Sequence, residues 1–315
     1  MLSLPDFREK QIVFVKASEI GEDHLVLKNE NIRLVRADGT SNRLSCHKVL
    51  AIFVVGDCTV TTNLLRKCKD LGVSVFFLNS RFRLFAPLVA VAEGNYALRA
   101  RQYAEIDTLP TAKHIVANKI ANQLSLLRKA GVQDSTISSL VESVKTVESV
   151  ESLDSLRGIE GSAARQFFAA YFEDSGWYRR MPRTRVDVPN LLLDIGYTML
   201  FNVVDACLSL HGFDTYKGVY HQLFFQRKSL VCDLMEPFRC VIDKQLKKSY
   251  NLKQVRENDF EMAKGEYLLP YQNQGRYISI FADAIMDRKE DIFTFVRDYY
   301  YCVINENKQY PTFNI

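Results

Sequence analysis

The hydrophobic pattern of this 315-residue chain changes period once, near residue 92, and that change limits the folds open to it. Before it, QIVFVKA, HLVLKN, NIRLVRADG, NRLSCH, VLAIFVVG and VSVFFLN are short β-branched and aromatic runs. Turn formers such as Lys28-Asn29-Glu30-Asn31 and Asp38-Gly39 separate them. One short helix is expected at about 60–71, closed by Gly72. After the change, apolar residues recur at helical spacing. GNYALRARQYAEI, TAKHIVANKIANQLSLLRKAG, residues 135–151, LRGIEGSAARQFFAAYF, NLLLDIGYTMLFNVVDACLSLHG, SLVCDLMEPFRCVIDKQLKKSY and RYISIFADAIMDRKEDIFTFVRDYYYCVI read as helices. The expected fold is α+β. A small β-sandwich or rolled sheet over residues 1–92 precedes a larger all-α domain over 93–315.

Composition narrows the class. Apolar residues make up 47% and charged residues 25%, the balance of a soluble globular protein. A net charge of +4 permits a basic face without demanding one. The seven cysteines are scattered with no CxxC pair, so neither a zinc ribbon nor a disulfide framework is supported. Reduced thiols in a cytoplasmic protein are the simplest account. MLSLPDFREK meets charge before an apolar leader forms, and no apolar run is long enough to span a bilayer.

Three segments offer ligands. Glu160 stands at the edge of the apolar face of its helix, beside Ile159 and three positions before Ala163. An unpaired carboxylate there is costly, so Glu160 is either a half-exposed acid of a first turn or a metal ligand. Gly161, Ser162, Ala163 and Ala164 would let another helix approach closely. Asp233 and Glu236, three apart among apolar neighbours, share one helix face and repel unless a cation lies between them. That cation is Arg239 in a structural salt bridge or a bound ion, and Pro237 is expected to kink the helix. Ser229 and Asn190 are the expected N-caps of their helices. His221 lies in a loop after Gly218. Carboxylates with one imidazole suit Mg²⁺ or Mn²⁺. Between Gly176 and Pro189, Arg179, Arg180, Arg183 and Arg185 crowd a loop with Trp177 and Tyr178. Arginines clamp phosphates and aromatics stack bases, so the loop reads as a nucleic-acid lip or an exposed basic loop. His24, His47, His114 and His211 lack acidic or cysteine partners at ligand spacing, and a helix C-terminus favours His211 through its dipole. Tyr299, Tyr300 and Tyr301 read as a packed terminal helix, and Arg99 and Arg101 as helix surface or DNA contacts.

Taken in order, LRGIEGSAARQFF, PNLLLDIGYTMLFNVV, HGFDTYKGVYHQ and SLVCDLMEPFR resemble the CRISPR-associated integrase of spacer acquisition, the Cas-one endonuclease family. GNYALRARQY and KIANQLSLLRK are similar to its first α-domain helices, so the resemblance covers most of the chain. It implies a metal-dependent DNA nuclease that inserts short fragments into a repeat array by 3′-hydroxyl transesterification. It implies a homodimer joined through the N-terminal β domain, a small Cas-two partner protein, and double-stranded DNA as substrate. The implied ligands are Glu160 in GIEG, His221 in GVYHQ and an acid of SLVCDLMEPFR. Some members carry aspartates at both acid positions of that box. Here the second is Glu236, taken as direct ligand, with Asp233 behind it or alternating with it. Lys217, Arg227, Lys228, Arg239 and Lys244 are expected to join the four loop arginines on the DNA backbone. Two other readings share these residues: an idle DNA-binding scaffold and a branched-DNA repair nuclease without a CRISPR role.

Overall fold

The computed structural model of the protein describes residues 3–18, 22–92, 94–105, 107–175, 177, 179–305 and 309–315. Gly176 and Tyr178 of the arginine loop lie outside the described residues.

After helix α1 (Leu4–Arg8), the N-terminal part forms two four-stranded sheets. The first has the order β1 (Gln11–Lys16), β5 (Val49–Val55), β7 (Ser74–Leu78), β8 (Leu84–Leu88). Its first three strands are parallel and β8 is antiparallel. The second has the order β4 (Ser41–Ser45), β3 (Asn31–Val35), β2 (His24–Lys28), β6 (Thr59–Val60). Between β2 and β3, Asn29 and Glu30 both take positive φ, 49° and 59°, as a tight two-residue hairpin requires. Helix α2 (Thr62–Asp70) follows β6, within the segment expected, and Gly72 ends it at φ 72°.

Strand β5 explains its own unbroken VLAIFVV run. Side chains alternate across a sheet. Ile52 and Val54 join Leu25, Ile32 and Leu64 in the core between the sheets. Ala51, Phe53 and Val55 face the other way and join the core of the helical part. With both faces covered, every position of β5 is buried.

The rest is helical: α3 (Tyr96–Ala104), α4 (Leu109–Lys129), α5 (Asp134–Ser149), α6 (Leu153–Tyr171), α7 (Val188–His211), α8 (Ser229–Met235), α9 (Arg239–Asn251), α10 (Tyr271–Met286) and α11 (Lys289–Ile304). One feature departs from the all-α expectation. A hairpin of β9 (Glu261–Ala263) and β10 (Glu266–Leu268) interrupts the helices, too short to leave a period-2 pattern. Helix α7 is long and apolar enough to cross a membrane, but 83% of its apolar window is buried within the protein, so it is a core helix. Gly196 lets α9 pack close, since a Cβ there would lie 2.5 Å from Ile242 Cγ2 of α9.

Two expected caps are corrected. Asp187, not Asn190, caps α7: its Oδ1 accepts the Asn190 N–H at 2.7 Å. Asn190 is fully buried and instead gathers the arginine loop, accepting from Arg180 and the Met181 N–H. Ser229 opens α8 as its first residue, after Lys228, and gives its hydroxyl to the Gln222 carbonyl. Pro237 does break the helix, and a 3₁₀ turn over Glu236–Phe238 separates α8 from α9.

Candidate active site

Glu160 enters the site from the middle of α6, not its first turn, so the dipole does not account for it. Gly161 and Ser162 beside it are exposed, and a Cβ on Gly161 would meet nothing within 4 Å. Of the small residues expected to allow a close helix approach, Ala163 is buried and Ala164 packs partly buried against the core. What neutralises Glu160 is Lys119 of α4, whose Nζ donates to Glu160 Oε1. The same Nζ lies 2.6 Å from Glu236 Oε2. Arg239 Nε lies 3.0 Å from Glu236 Oε1. Glu236 is 4% exposed and Lys119 9%. Burial by itself would raise the Glu236 carboxyl, but Arg239 and Lys119 outweigh it and hold it at about 2. Burial likewise opposes the Lys119 charge, and Glu236 and Glu160 overcome it, raising the ammonium above its ordinary value.

Asp233 has a different task. It is fully buried, and its carboxylate collects four donors. Oδ2 accepts the N–H groups of Val219 (2.7 Å) and Tyr220 (3.0 Å). Oδ1 accepts the N–H of His221 (2.9 Å) and pairs with its Nδ1 (2.6 Å). A carboxylate accepts, so Nδ1 donates, and in the neutral ring the lone pair lies on Nε2. Asp233 thereby folds the 218–221 turn and fixes the imidazole, as residues behind a metal-bound histidine do. Gly218 makes room, since a Cβ there would lie 2.7 Å from Asp233 Oδ2 and 2.6 Å from the His221 carbonyl.

The donor set suits an oxygen-preferring divalent ion by its chemistry. Glu236 Oε2 is buried, and the cation it faces is the Lys119 ammonium at 2.6 Å. Two carboxylates and an imidazole with a free lone pair match Mg²⁺ or Mn²⁺. Among the described residues, however, no three His, Cys, Asp or Glu side chains stand together at ion-binding distance. The ammonium of Lys119 occupies the space between Glu160 and Glu236.

A cavity of about 160 Å³ is bounded by Lys119, Glu160, Glu236, Tyr197 and Asp243. Asp243 is buried, and the Tyr197 hydroxyl donates to its Oδ1. Burial raises the Asp243 carboxyl to about 7 against the lowering by Tyr197 and Arg239. A larger groove of about 710 Å³, bounded by Arg83, Arg180, Arg183, Arg185 and Arg239, shares Arg180, Pro182, Tyr197 and Arg239 with the first cavity. Cations therefore line the way to the carboxylates.

The expected DNA contacts divide. Arg183 is exposed and borders the groove, and Arg179 is exposed at the start of the loop. Arg180 borders both cavities but is tied to Asn190 and Asp194. Arg185 is only 6% exposed, with its guanidinium donating to the Arg81 carbonyl, so it braces the loop. Lys228 is paired with fully buried Asp205, and Arg227 donates to the Gln222 carbonyl. Lys217 is half-buried in the turn leading to His221. Lys244 is exposed, borders neither cavity, and has Arg288 and Lys129 for charged neighbours. Trp177 is no stacking platform: it is buried edge-on against Phe168 and Phe172, and its Nε1 donates to Asp187. His211 is buried against the Cys207 carbonyl, and burial lowers its pKa, which overrides the dipole and leaves the ring neutral. Tyr299 is buried as expected, while Arg99 and Arg101 donate to the Gly212 and Ile304 carbonyls.

Sequence reasoning passed over Lys119, Tyr197, Tyr220 and Asp243. Lys119 left a signal. It sits between Ile115, Val116, Ile120 and Gln123 on a helix face that is otherwise buried.

Against known proteins, the family model described as CRISPR associated protein Cas1 matches residues 20–283. The chain belongs to the Cas1 family. The "CRISPR-associated endonuclease Cas1 3" of Thermus thermophilus is 31% identical over 223 residues, covering 68% of this chain and 67% of that one. Among solved structures, a "Cas6-RT-Cas1--Cas2 complex" aligns with TM-score 0.78 and 22% identity over 95% of this chain and 35% of that one. A "Casposase bound to integration product" aligns with TM-score 0.82 and 16% identity over 95% of this chain and 92% of that one. These two likenesses are of fold, and they extend the Cas1 architecture across both the β and the helical parts.

Proposed function

We propose that this Cas1-family protein is a divalent-metal-dependent DNA nuclease and integrase. It joins a DNA 3′-hydroxyl to a phosphate of a CRISPR repeat. The observation that carries the reading is the meeting of Glu160 and Glu236 around a buried cation, with His221 fixed by Asp233 and near enough to act electrostatically on Glu236.

Glu160, His221 and Glu236 would hold Mg²⁺ or Mn²⁺. Bound there, the ion lowers the pKa of the attacking hydroxyl or water and stabilises charge on the phosphate. Asp233 keeps the His221 Nε2 lone pair available by holding the proton on Nδ1. Arg239 and Arg180, on the shared wall of the two cavities, supply fixed positive charge where a phosphate passes. Lys119 keeps the two glutamates from repelling one another when no ion is present. Arg183, exposed at the groove, and Arg179, exposed at the start of the loop, track the DNA backbone independently of sequence. The reading includes a homodimer formed through the β part, residues 1–92, with catalysis in 93–315. It also includes a small Cas2 partner, in line with the name of the first-mentioned structural neighbour.

One observation favours the scaffold alternative: Lys119 already neutralises Glu160 and Glu236, so a purely structural role would satisfy them. A strand-transfer assay separates the two. Supercoiled repeat-bearing plasmid, short duplexes with free 3′-hydroxyls and Mn²⁺ or Mg²⁺ are supplied with and without the partner. Joined product from wild type and none from Glu160→Ala supports the integrase. Equal DNA binding by both proteins, with neither cutting nor joining, supports the scaffold. Cleavage of branched DNA with no repeat preference supports the repair nuclease.

A further inference from the structure

The loop from His221 to Ser229 carries three consecutive large apolar side chains in water. Leu223, Phe224 and Phe225 are 66%, 70% and 82% exposed. Among the described residues, no other exposed large hydrophobics are consecutive. A free loop would fold such residues down onto the protein. This one is pinned open at both ends. At one end Asp233 holds the His221 N–H and ring. At the other, Arg227 Nη2 donates to the Gln222 carbonyl at 2.6 Å and the Ser229 hydroxyl donates to the same carbonyl at 3.1 Å. The Arg227 N–H closes a turn on the Phe224 carbonyl at 3.0 Å, with Gln226 at φ 58°. The Arg227 guanidinium lies 5.5 Å from the centre of the Phe224 ring, which braces the aromatic outward.

The charge around the tip selects its partner. From Thr215 to Cys232 there is no acidic residue, and Lys217 and Arg227 are present, while Lys228 is neutralised by Asp205. A tip with apolar rings at its end and cations at its base matches nucleic acid, which offers base faces inside a phosphate shell. It also begins two residues from His221, so whatever it touches adjoins the phosphate that the site receives.

We propose that Leu223, Phe224 and Phe225 form a wedge that stacks on the bases beside the reacting phosphate and holds them apart from their neighbours. The inference rests on the nucleic-acid reading of the same site. Apolar side chains inserted at a base step unstack and kink a duplex. A kink at the opened step changes the direction of the backbone there and so can turn its phosphate toward the site.

The test uses the 315-residue chain with Mn²⁺ and a set of branched duplexes, each with 2-aminopurine at a different position around the junction. Binding is followed separately by anisotropy. Wild type is expected to raise 2-aminopurine fluorescence several-fold at one or two adjacent positions. Phe224→Ser/Phe225→Ser is expected to lose that rise and to bind about ten-fold or more weakly, since each stacked base contributes. Phe224→Trp/Phe225→Trp is expected to restore it. Tight binding and joining by wild type with flat fluorescence at every position overturns the wedge alone. An unchanged rise in the serine variant overturns it too, as does a dimer that the serine variant alone dissociates in sedimentation. No DNA binding by wild type would instead sink the nucleic-acid reading on which the wedge stands.

Discussion

Replacing Lys119 with methionine removes the ammonium between Glu160 and Glu236 while keeping a long apolar stem. The Glu236 carboxyl falls from 4.5 to about 2. At ~1.4 kcal/mol per unit, that is roughly 3 kcal/mol from Arg239 and Lys119 together, net of burial. Lys119→Met withdraws one of the two cations and leaves Glu160 without its partner. Breaking a buried pair on one side costs about 3–5 kcal/mol. In EDTA the variant should therefore melt about 5 °C or more below wild type. The sign with pH follows from the lowered carboxyl. The stabilisation is present above pH 4.5 and lost as pH falls through about 2, so the gap between the proteins narrows in acid. Added Mn²⁺ should then raise the melting temperature more in the variant than in wild type, because the ion no longer competes with a resident ammonium. Calorimetric melts with EDTA and with Mn²⁺ decide the matter. Equal melting temperatures in EDTA, with equal Mn²⁺ shifts, would refute the assignment of Lys119 as the site's internal cation.

Three further outcomes follow from the same geometry. Asp233→Asn keeps the shape but cannot accept from all four donors, so Mn²⁺ affinity by calorimetry should fall about 10–100-fold. Gly218→Ala places a Cβ 2.7 Å from Asp233 Oδ2 and 2.6 Å from the His221 carbonyl. It should weaken Mn²⁺ binding with the full ligand set in place, and unchanged affinity would mean the turn yields freely. Asp243, raised from 3.8 to about 7 by burial, favours the fold fully below 3.8 and loses that contribution as pH rises through about 7. Asp243→Asn should therefore lose less stability than wild type between pH 5 and pH 8 in denaturant titrations.

The β-then-α order was legible because hydrophobic period reports local structure directly, while α1, β6, β8 and the break between α10 and α11 were not read. The change of period near residue 92 falls between β8 and α3. The turns at Asn29-Glu30 and Gly39 were legible because only certain residues take positive φ cheaply. The β9–β10 hairpin was not, since three-residue strands are too short to alternate visibly. The caps Asn190 and Ser229 were misplaced because side-chain oxygens also serve tertiary partners, here the arginine loop and the Gln222 carbonyl. In the site, residue type and context picked out Glu160, His221 and the Asp233–Glu236 pair. The sequence marked Lys119 only as a lysine on an apolar helix face, and its partners were not legible. Lys119 lies 41 residues before Glu160, and no local pattern links two helices across that distance. The basic segment misled in the opposite way. Arg185 and Trp177 read as surface groups, but both are buried and brace the loop.

The central claim is that Glu160, His221 and Glu236 form one divalent-metal site. Mn²⁺ titration followed by electron paramagnetic resonance, on wild type beside Glu160→Gln, His221→Ala and Glu236→Gln, tests it without depending on DNA. One tightly bound Mn²⁺ is expected in wild type, and its loss in each of the three variants. Binding that survives in all three, or no bound Mn²⁺ in wild type, would contradict it.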